Sequence, residues 1–313
     1  MGKKVNILLS VYNPKEEYLI EQLKSIDQQT YENIELLIFD DCITKRCDYQ
    51  IFEKTLKNIG YRILPCKKEN LGYTKAFEYL VEQADGDYIA FCDQDDVWDK
   101  TKIEKCVRCM EEEKTILVVT DRRIIDADGQ VTCTSVRHTS KKKYNTWNSH
   151  EDIGVYNFFT ACAPGMSMVM NAKFAKECIP FSKNTGHDKW IIACACACGE
   201  ISYLDETLVS YRRYGENVSG VLIGIDSKKD YIEQRVLPHL KLVKEFTRRY
   251  PQYPGNGIAL RFATARMNGN VLELLKYYSI APELVKFEIF IALMPNKIIE
   301  IGIGILKKMN GGK

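Results

Sequence analysis

Three carboxylates stand where an apolar run ends abruptly: Tyr88-Ile89-Ala90-Phe91-Cys92 gives way to Asp93-Gln94-Asp95-Asp96. Asp93 and Asp95 are two residues apart, and hard carboxylate oxygens at that spacing in a loop suit Mg²⁺ or Mn²⁺, ions that also hold substrate phosphates. The apolar run reads as a buried strand. In an open α/β sheet, ligands gather beyond the carboxyl ends of the strands, so acids in that loop are placed for binding. The same triplet is also a common way to turn the chain and cap the helix that starts near Lys100. A second acidic strand end, Asp40-Asp41, closes Glu35–Phe39. A further carboxylate, Asp188, opens an apolar helix in Gly186-His187-Asp188-Lys189-Trp190, where it is placed either as a general base or as an N-cap.

Alternating strands and helices must position these acids. Val5 to Val11 is a continuous run rich in branched apolar residues, as for a strand buried on both faces. Tyr12-Asn13-Pro14 breaks it, and a helix from about Lys15 carries Leu19, Leu23 and Ile26 on one face. A helix over 51–58, a strand over 61–64, the loop Asn70-Leu71-Gly72 and a helix over 74–83 precede the acid-tipped strand. Such alternation with short connections argues for an α/β fold, a mostly parallel sheet flanked by helices. Beyond the acids, 100–114 reads as a helix, 116–120 as a strand, 165–170 as a strand, and 201–204 and 208–211 as two more. The basic, polar stretch 135–152, with Lys141-Lys142-Lys143, reads as a mobile loop; the triplet suits a solvated face, or contact with phosphate or anionic lipid.

The 313 residues, 45% of them hydrophobic, allow one large domain and an appendage. A net charge of +2 gives no overall electrostatic signature for nucleic acid. The start of the chain lacks the apolar core and cleavage site of a signal peptide, which points to the cytoplasm. Of the twelve cysteines only Cys106 and Cys109 stand in a Cys-x₂-Cys spacing, and no second such pair follows. Cysteines here, including Cys194, Cys196 and Cys198, read as small buried packing residues with reduced thiols. From Ser227 the composition turns helical. Residues 228–250 and 258–278 are amphipathic, whereas 283–293 and 297–308 are more apolar but short of the ~18 to 20 residues that span a bilayer. They either pack on the catalytic domain or lie in a membrane interface, with Lys297, Lys307 and Lys308 towards head groups.

The motifs together carry a resemblance. Ile7-Leu8-Leu9-Ser10-Val11-Tyr12-Asn13, Gln22-Leu23-Lys24-Ser25-Ile26, Gln29-Thr30-Tyr31, Leu37-Ile38-Phe39-Asp40-Asp41, Asn70-Leu71-Gly72 and Phe91 to Trp98 resemble, in order and spacing, the family 2 inverting glycosyltransferases, and most of all the bacterial rhamnosyltransferase-type enzymes of surface polysaccharide synthesis. His187-Asp188-Lys189-Trp190 and Tyr211 to Gly220 extend the match, which covers about Val5 to Gly220.

The resemblance implies a GT-A fold over residues 1–225, with a nucleotide-sugar-binding half at 1–105 and an acceptor half at 106–225, followed by a helical region at 226–313. It implies a dTDP- or UDP-sugar donor, with dTDP-rhamnose favoured and a UDP-hexose as the alternative, a divalent metal, Mg²⁺ or Mn²⁺, and a glycan or polyprenyl-linked acceptor at the inner face of the membrane. On that reading Ser10, Tyr12 and Asn13 border the base, Asp41 accepts from its ring N–H, and Asn70, Gly72 and Arg212 complete the nucleotide-sugar site. Asp93 meets the ribose, Asp95 and Asp93 serve the metal, and Asp188 is the catalytic base. Gly165 and Trp190 fall on the acceptor side. Two departures stand out: Tyr214 occupies the place of a His that often completes the metal shell, and Cys42-Ile43-Thr44 replaces the usual Gly-Ser after the second acid pair. Arg212 and Arg213 read equally as surface charges. Two other classes fit parts of the pattern: an aspartyl-phosphate phosphohydrolase, whose acid motif normally lies near the N-terminus, and a non-catalytic glycan- or lipid-binding module.

Overall fold

The computed structural model describes residues 2–142, 145–214 and 224–310. The chain forms two compact units, one of residues 1–153 and 161–215, the other of residues 154–160 and 216–313.

In the first unit the apolar runs become strands as their patterning dictates: β1 (Val5–Val11), β2 (Ile34–Asp40), β3 (Gly60–Ile63) and β4 (Tyr88–Cys92). Then follow β5 (Val97–Trp98), β6 (Leu117–Ile125), β7 (Val131–Cys133), β8 (Met168–Asn171) and β9 (Ile201–Arg212). Among the described residues they form one sheet ordered β3-β2-β1-β4-β8-β6-β9-β5, with β7 beside β6. The first four strands are parallel; β8 runs antiparallel to both β4 and β6, and β6 and β9 are parallel to each other. The expected α/β sheet flanked by helices is therefore present.

Flanking it are α1 (Glu16–Asp27), α2 (Gln50–Thr55), α3 (Tyr73–Gln83), α4 (Lys102–Glu113) and α5 (Val136–Thr139), then, after α6 (Gly154–Phe159), which belongs to the second unit, α7 (Ala172–Glu177) and α8 (His187–Cys198). Leu19, Leu23 and Ile26 of α1 are fully buried in the same core as Val5, Ile7, Leu9 and Val11 of β1. At ~25 cal/mol per Å² of apolar surface removed from water, that shared burial is what holds α1 to the sheet.

Three expectations change. The stretch 165–170 begins as a 3₁₀ turn, Gly165–Ser167, and only Met168 onward is strand. The two short strands at 201–211 are one, because a register shift near Thr120 and Asp121 lets β9 carry Asp205 and Glu206 past β6 without ending the ladder. The polar stretch 135–152 is anchored: the Trp147 side chain is 1% exposed and the Arg137 guanidinium donates to the Trp147 carbonyl oxygen and, at 2.8 Å, to Asn148 Oδ1. Lys143 lies outside the described residues. Most of the cysteines are buried, although Cys66 and Cys198 are exposed.

The second unit contains α9 (Lys228–Tyr231), a π-helical turn (Ile232–Val236) and α10 (Leu237–Arg249), in continuous succession, then α11 (Asn256–Asn268), α12 (Val271–Leu275), α13 (Pro282–Leu293) and α14 (Asn296–Asn310). Phe159 of α6 stacks on Phe262 of α11 with ring centroids 3.8 Å apart. Inside it, Arg266 pairs with Glu288 at 2.6 Å, and both side chains are almost fully buried. Among the described residues no helix is long and apolar enough to cross a membrane.

Candidate functional site

Register brings the acids to one rim. Leu9 of β1 lies beside Cys92 of β4, and Val11 beside Asp40 of β2, so the chain leaves all three strands at the same level. Tyr12-Asn13, Asp41 and Asp93–Asp96 emerge there, with Ser10 one residue inside the rim opposite Phe39. Asn13 has φ +41, a left-handed turn that Asn tolerates better than most residues. The loop after β1 is tied to the acid loop by a reciprocal pair: Tyr12 N–H donates to Gln94 Oε1 at 2.8 Å, and Gln94 Nε2 donates to the Tyr12 carbonyl at 3.1 Å. The Tyr12 ring is left 54% exposed above it.

Asp41 holds the loop before α3. Its Oδ2 accepts from Asn70 Nδ2 and Gly72 N–H, both at 2.8 Å, and its Oδ1 accepts from Leu71 N–H at 2.8 Å. Gly72 adopts φ +76, a left-handed conformation that explains glycine at this position. Burial raises the Asp41 carboxyl, and the Leu71 and Gly72 amides oppose that rise. Acceptor capacity remains on Oδ1. Asp40 has a different task, since it accepts from the amides of Cys42 and Cys47 and so shapes the loop that lacks Gly-Ser.

The acid loop is a set of crowded carboxylates. Burial, then the charges of Asp95 and Asp188, push Asp93 up to about 7. Burial also raises Asp95, while the Tyr214 hydroxyl, donating to its Oδ2 at 2.7 Å, works the other way. Asp96 is fully enclosed and raised well above the carboxylate range by burial and by its two neighbours. Its Oδ1 accepts the Arg212 backbone N–H at 3.0 Å, and its Oδ2 has no hydrogen-bond partner among the described residues.

Asp188 arrives from the far side of the sheet's switch point, at the second position of α8. The N-cap of that helix is Gly186, without a side-chain cap, so Asp188 is not the cap. Its Oδ1 accepts the Lys189 N–H at 2.7 Å, and its charge reaches Asp93. The preceding residue, His187, is 6% exposed and boxed by Phe77, Phe91 and Tyr73, with ring centroids 4.2, 4.7 and 6.2 Å away. Burial depresses the imidazole to about 4, and neither ring nitrogen has a hydrogen-bond partner among the described residues.

Three assignments are corrected. Arg212 is neither a surface charge nor open to a diphosphate: it is 1% exposed, its Nε donates to the Asp95 carbonyl at 2.9 Å, and its guanidinium pairs with Glu21 and reaches the Asp126 and Ala127 carbonyls at 3.3 Å. It stacks 4.3 Å from the Tyr18 ring. It therefore clamps the acid loop from within. Trp190 is fully enclosed and its indole N–H donates to the Cys178 carbonyl at 2.9 Å, which makes it a core residue instead of an acceptor contact. Gly165 is also buried; a Cβ there would sit 2.6 Å from His187 Nε2, so its glycine admits the imidazole and offers no surface to an acceptor.

Sequence reasoning missed Lys102, which lies behind the acid loop with no solvent exposure. Its Nζ donates to the Met166 carbonyl at 2.6 Å and sits 3.1 Å from the Trp98 ring centroid. Burial lowers this lysine to about 7. One signal was available: Lys102 shares a helix face with Cys106 and Cys109, four and seven residues on, and both are buried.

The carboxylates of Asp93 and Asp95, both raised by burial, offer hard oxygens that fit a divalent ion, whose charge would offset their loss of water. Among the described residues no three potential ligand side chains converge, so such an ion would draw the rest of its shell from substrate oxygens and water.

Comparison with known proteins agrees with this architecture. Residues 6–176 match the family described as Glycosyl transferase family 2. The putative teichuronic acid biosynthesis glycosyltransferase TuaG of Bacillus subtilis is 32% identical over 127 residues, 40% of this chain and 49% of TuaG. WfaP of Escherichia coli, a UDP-Glc:α-D-GlcNAc-diphosphoundecaprenol β-1,3-glucosyltransferase, is 38% identical over 112 residues, 35% of this chain and 42% of WfaP. The matched part spans half or less of those two proteins and 18% of a Rickettsia bellii glycosyltransferase. The crystal structure of Staphylococcus aureus TarS in complex with UDP-GlcNAc superposes with a TM-score of 0.61 over 92% of this chain and 81% of that one, at 17% identity, which is a likeness of fold.

Proposed function

Because this chain belongs to glycosyl transferase family 2, we propose that it is an inverting glycosyltransferase, moving a sugar from a nucleoside diphosphate to an acceptor hydroxyl. The observation that carries the reading is the meeting at one rim of two donor-side acids, Asp93 and Asp95, in the loop after β4, with Asp188 from a separate element, α8, whose preceding residue His187 packs with its ring centroid 4.7 Å from that of Phe91, two residues before Asp93. A helix-capping acidic turn needs no such third carboxylate.

In the reaction, the pyrimidine ring N–H donates to Asp41 Oδ1 beside Tyr12, and Asp93 accepts from the ribose. Asp188 takes the proton from the acceptor hydroxyl as that oxygen attacks the anomeric carbon. The bond to the diphosphate breaks on the opposite face, so the new bond has inverted configuration. Asp95 and Asp93 would hold a Mg²⁺ or Mn²⁺ ion, which would neutralise charge on the leaving diphosphate. Tyr214, in the place of a His, fixes one Asp95 oxygen and leaves the other for that role.

Uracil and thymine present the same edge to Asp41, so the donor is a UDP- or dTDP-sugar. The UDP-glucose in the name of WfaP and the UDP-GlcNAc bound to TarS favour a UDP-hexose. The rhamnosyltransferase-type motifs favour dTDP-rhamnose as the second donor. The acceptor is a glycan under assembly on a polyprenyl carrier, in line with the names of TuaG and WfaP. Residues 1–225 serve catalysis, in a nucleotide-sugar half and an acceptor half, and 226–313 bring the enzyme to the inner face of the membrane. Leu272, Leu275, Tyr278, Phe290, Leu293, Ile298 and Ile301, exposed within the second unit, support that contact.

A donor screen tests the function: release of UDP or dTDP from a nucleotide sugar is expected, whereas phosphate release from a simple monoester would overturn it in favour of a phosphohydrolase. Deleting residues 283–313 should lower partition onto anionic vesicles, and unchanged partition would remove the membrane role.

A further inference from the structure

We propose that Lys102 is a positioning residue that sets the separation between the donor-side acids and the Asp188 base, by tying the acid loop to the turn that carries Gly165. The inference rests on the glycosyl-transfer reading above and goes beyond it to a residue that touches no substrate.

A fully buried lysine is uncommon because the ammonium loses its water, and such groups normally sit against a carboxylate. Among the described residues Lys102 has no carboxylate partner at ion-pair distance. Its ammonium is directed instead at two features. One is the Trp98 ring, 3.1 Å from Nζ, at the end of the acid loop. The other is the Met166 carbonyl, 2.6 Å away, in the middle of the Gly165–Ser167 turn. A leucine or methionine would fill the same volume without the desolvation cost. What a directed N–H adds is a fixed distance between the loop and the turn.

From that turn the contact continues to the base. Gly165 packs so closely on His187 that a Cβ would stand 2.6 Å from Nε2, and the imidazole is boxed by Phe77 and Phe91. Asp188 is the next residue along the rigid start of α8. The series Trp98, Lys102, Met166, Gly165, His187, Asp188 thus runs from the acid loop to the base through direct contacts and chain neighbours.

The test uses the full chain with Lys102→Met and Lys102→Arg. The readouts are UDP affinity by calorimetry, the thermal midpoint, and kcat for UDP release from UDP-glucose and UDP-N-acetylglucosamine with water as acceptor. Lys102→Met should lower kcat at least tenfold per folded site while UDP affinity stays within twofold, because the donor contacts remain and the turn moves. Lys102→Arg, which keeps a cation and donors, should fall between the two. A lower midpoint with unchanged kcat per folded site, or a loss of UDP affinity parallel to that of kcat, would overturn the proposal. If Lys102→Met does not fold, Lys102→Arg decides by the same readouts, reduced kcat with retained UDP affinity supporting it and unchanged kcat overturning it. Absence of UDP binding and turnover in the wild-type chain would overturn the parent reading and this one with it, whereas wild-type turnover with unaltered variants overturns this one alone.

Discussion

Gly165→Ala puts one methyl group where the imidazole of His187 now lies. The new Cβ would stand 2.6 Å from Nε2, about 0.8 Å inside ordinary van der Waals contact. The ring cannot simply swing away, because Phe77 and Phe91 hold it at centroid distances of 4.2 and 4.7 Å. The strain therefore passes to the backbone at the start of α8, where Asp188 follows directly. Overpacking of this kind costs about 1–3 kcal/mol of stability, and a catalytic group displaced by about 1 Å can lose about 100-fold in rate. We expect kcat to fall between about tenfold and 100-fold, with UDP affinity within twofold, since Asp41, Asp93 and Asp95 lie in the loops after β2 and β4. Steady-state kinetics beside calorimetric titration of UDP measure both. Adding His187→Ala to Gly165→Ala should recover part of the stability by making room for the methyl group. Full kcat in Gly165→Ala would refute the argument that this packing places the base.

Asp188→Asn should leave UDP binding intact and reduce transfer by about 10²- to 10⁴-fold, the usual worth of a positioned base; an active variant in a coupled UDP-release assay would remove Asp188 from that role. Arg212→Met strips the acid loop of a clamp that is 1% exposed and leaves the Asp95 carbonyl without its side-chain donor, which should destabilise the chain by about 1–3 kcal/mol in denaturant titration, where a loss under about 0.5 kcal/mol would restore the surface-charge reading. His187 also predicts a pH dependence. Its folded value near 4 lies below the ordinary 6.5, so the unfolded chain binds the extra proton first, and the stabilisation is complete above 6.5 and lost as pH falls towards 4. That loss amounts to about 3 kcal/mol, and unfolding of His187→Leu should show a correspondingly flatter pH profile over the same window.

The parallel half of the sheet was legible because its strands are dominated by apolar residues: Val5–Val11 begins and ends where the pattern does, since both faces are covered, and Asn6 and Ser10 are its only polar residues. The long β6–β9 ladder was not. Asp121, Arg122 and Arg123 on one strand and Asp205 and Glu206 on the other look like strand breaks, yet pairing continues across a register shift. The acids at strand ends were visible from residue type and position. Arg212 was misread because its surroundings come from afar; Glu21, with which it pairs, lies 191 residues earlier. Trp190 stands two residues from the base in sequence and so looked like a substrate contact, whereas the fold turns both it and Gly165 inward. Lys102 was hidden among Lys100 and Lys105, as three-dimensional burial separates it from its solvated neighbours.

The central claim is that the acids at this rim bind a pyrimidine nucleoside-diphosphate sugar and that Asp188 acts on the acceptor. The most direct measurement is a screen of the purified chain against UDP-glucose, UDP-N-acetylglucosamine and dTDP-rhamnose, with and without Mg²⁺ or Mn²⁺, reading nucleoside diphosphate release and the anomeric configuration of the product by NMR. The account predicts turnover of at least one donor, with inversion, abolished in Asp188→Asn. Turnover with retained configuration, or no turnover of any donor alongside phosphate release from a simple monoester, would contradict it.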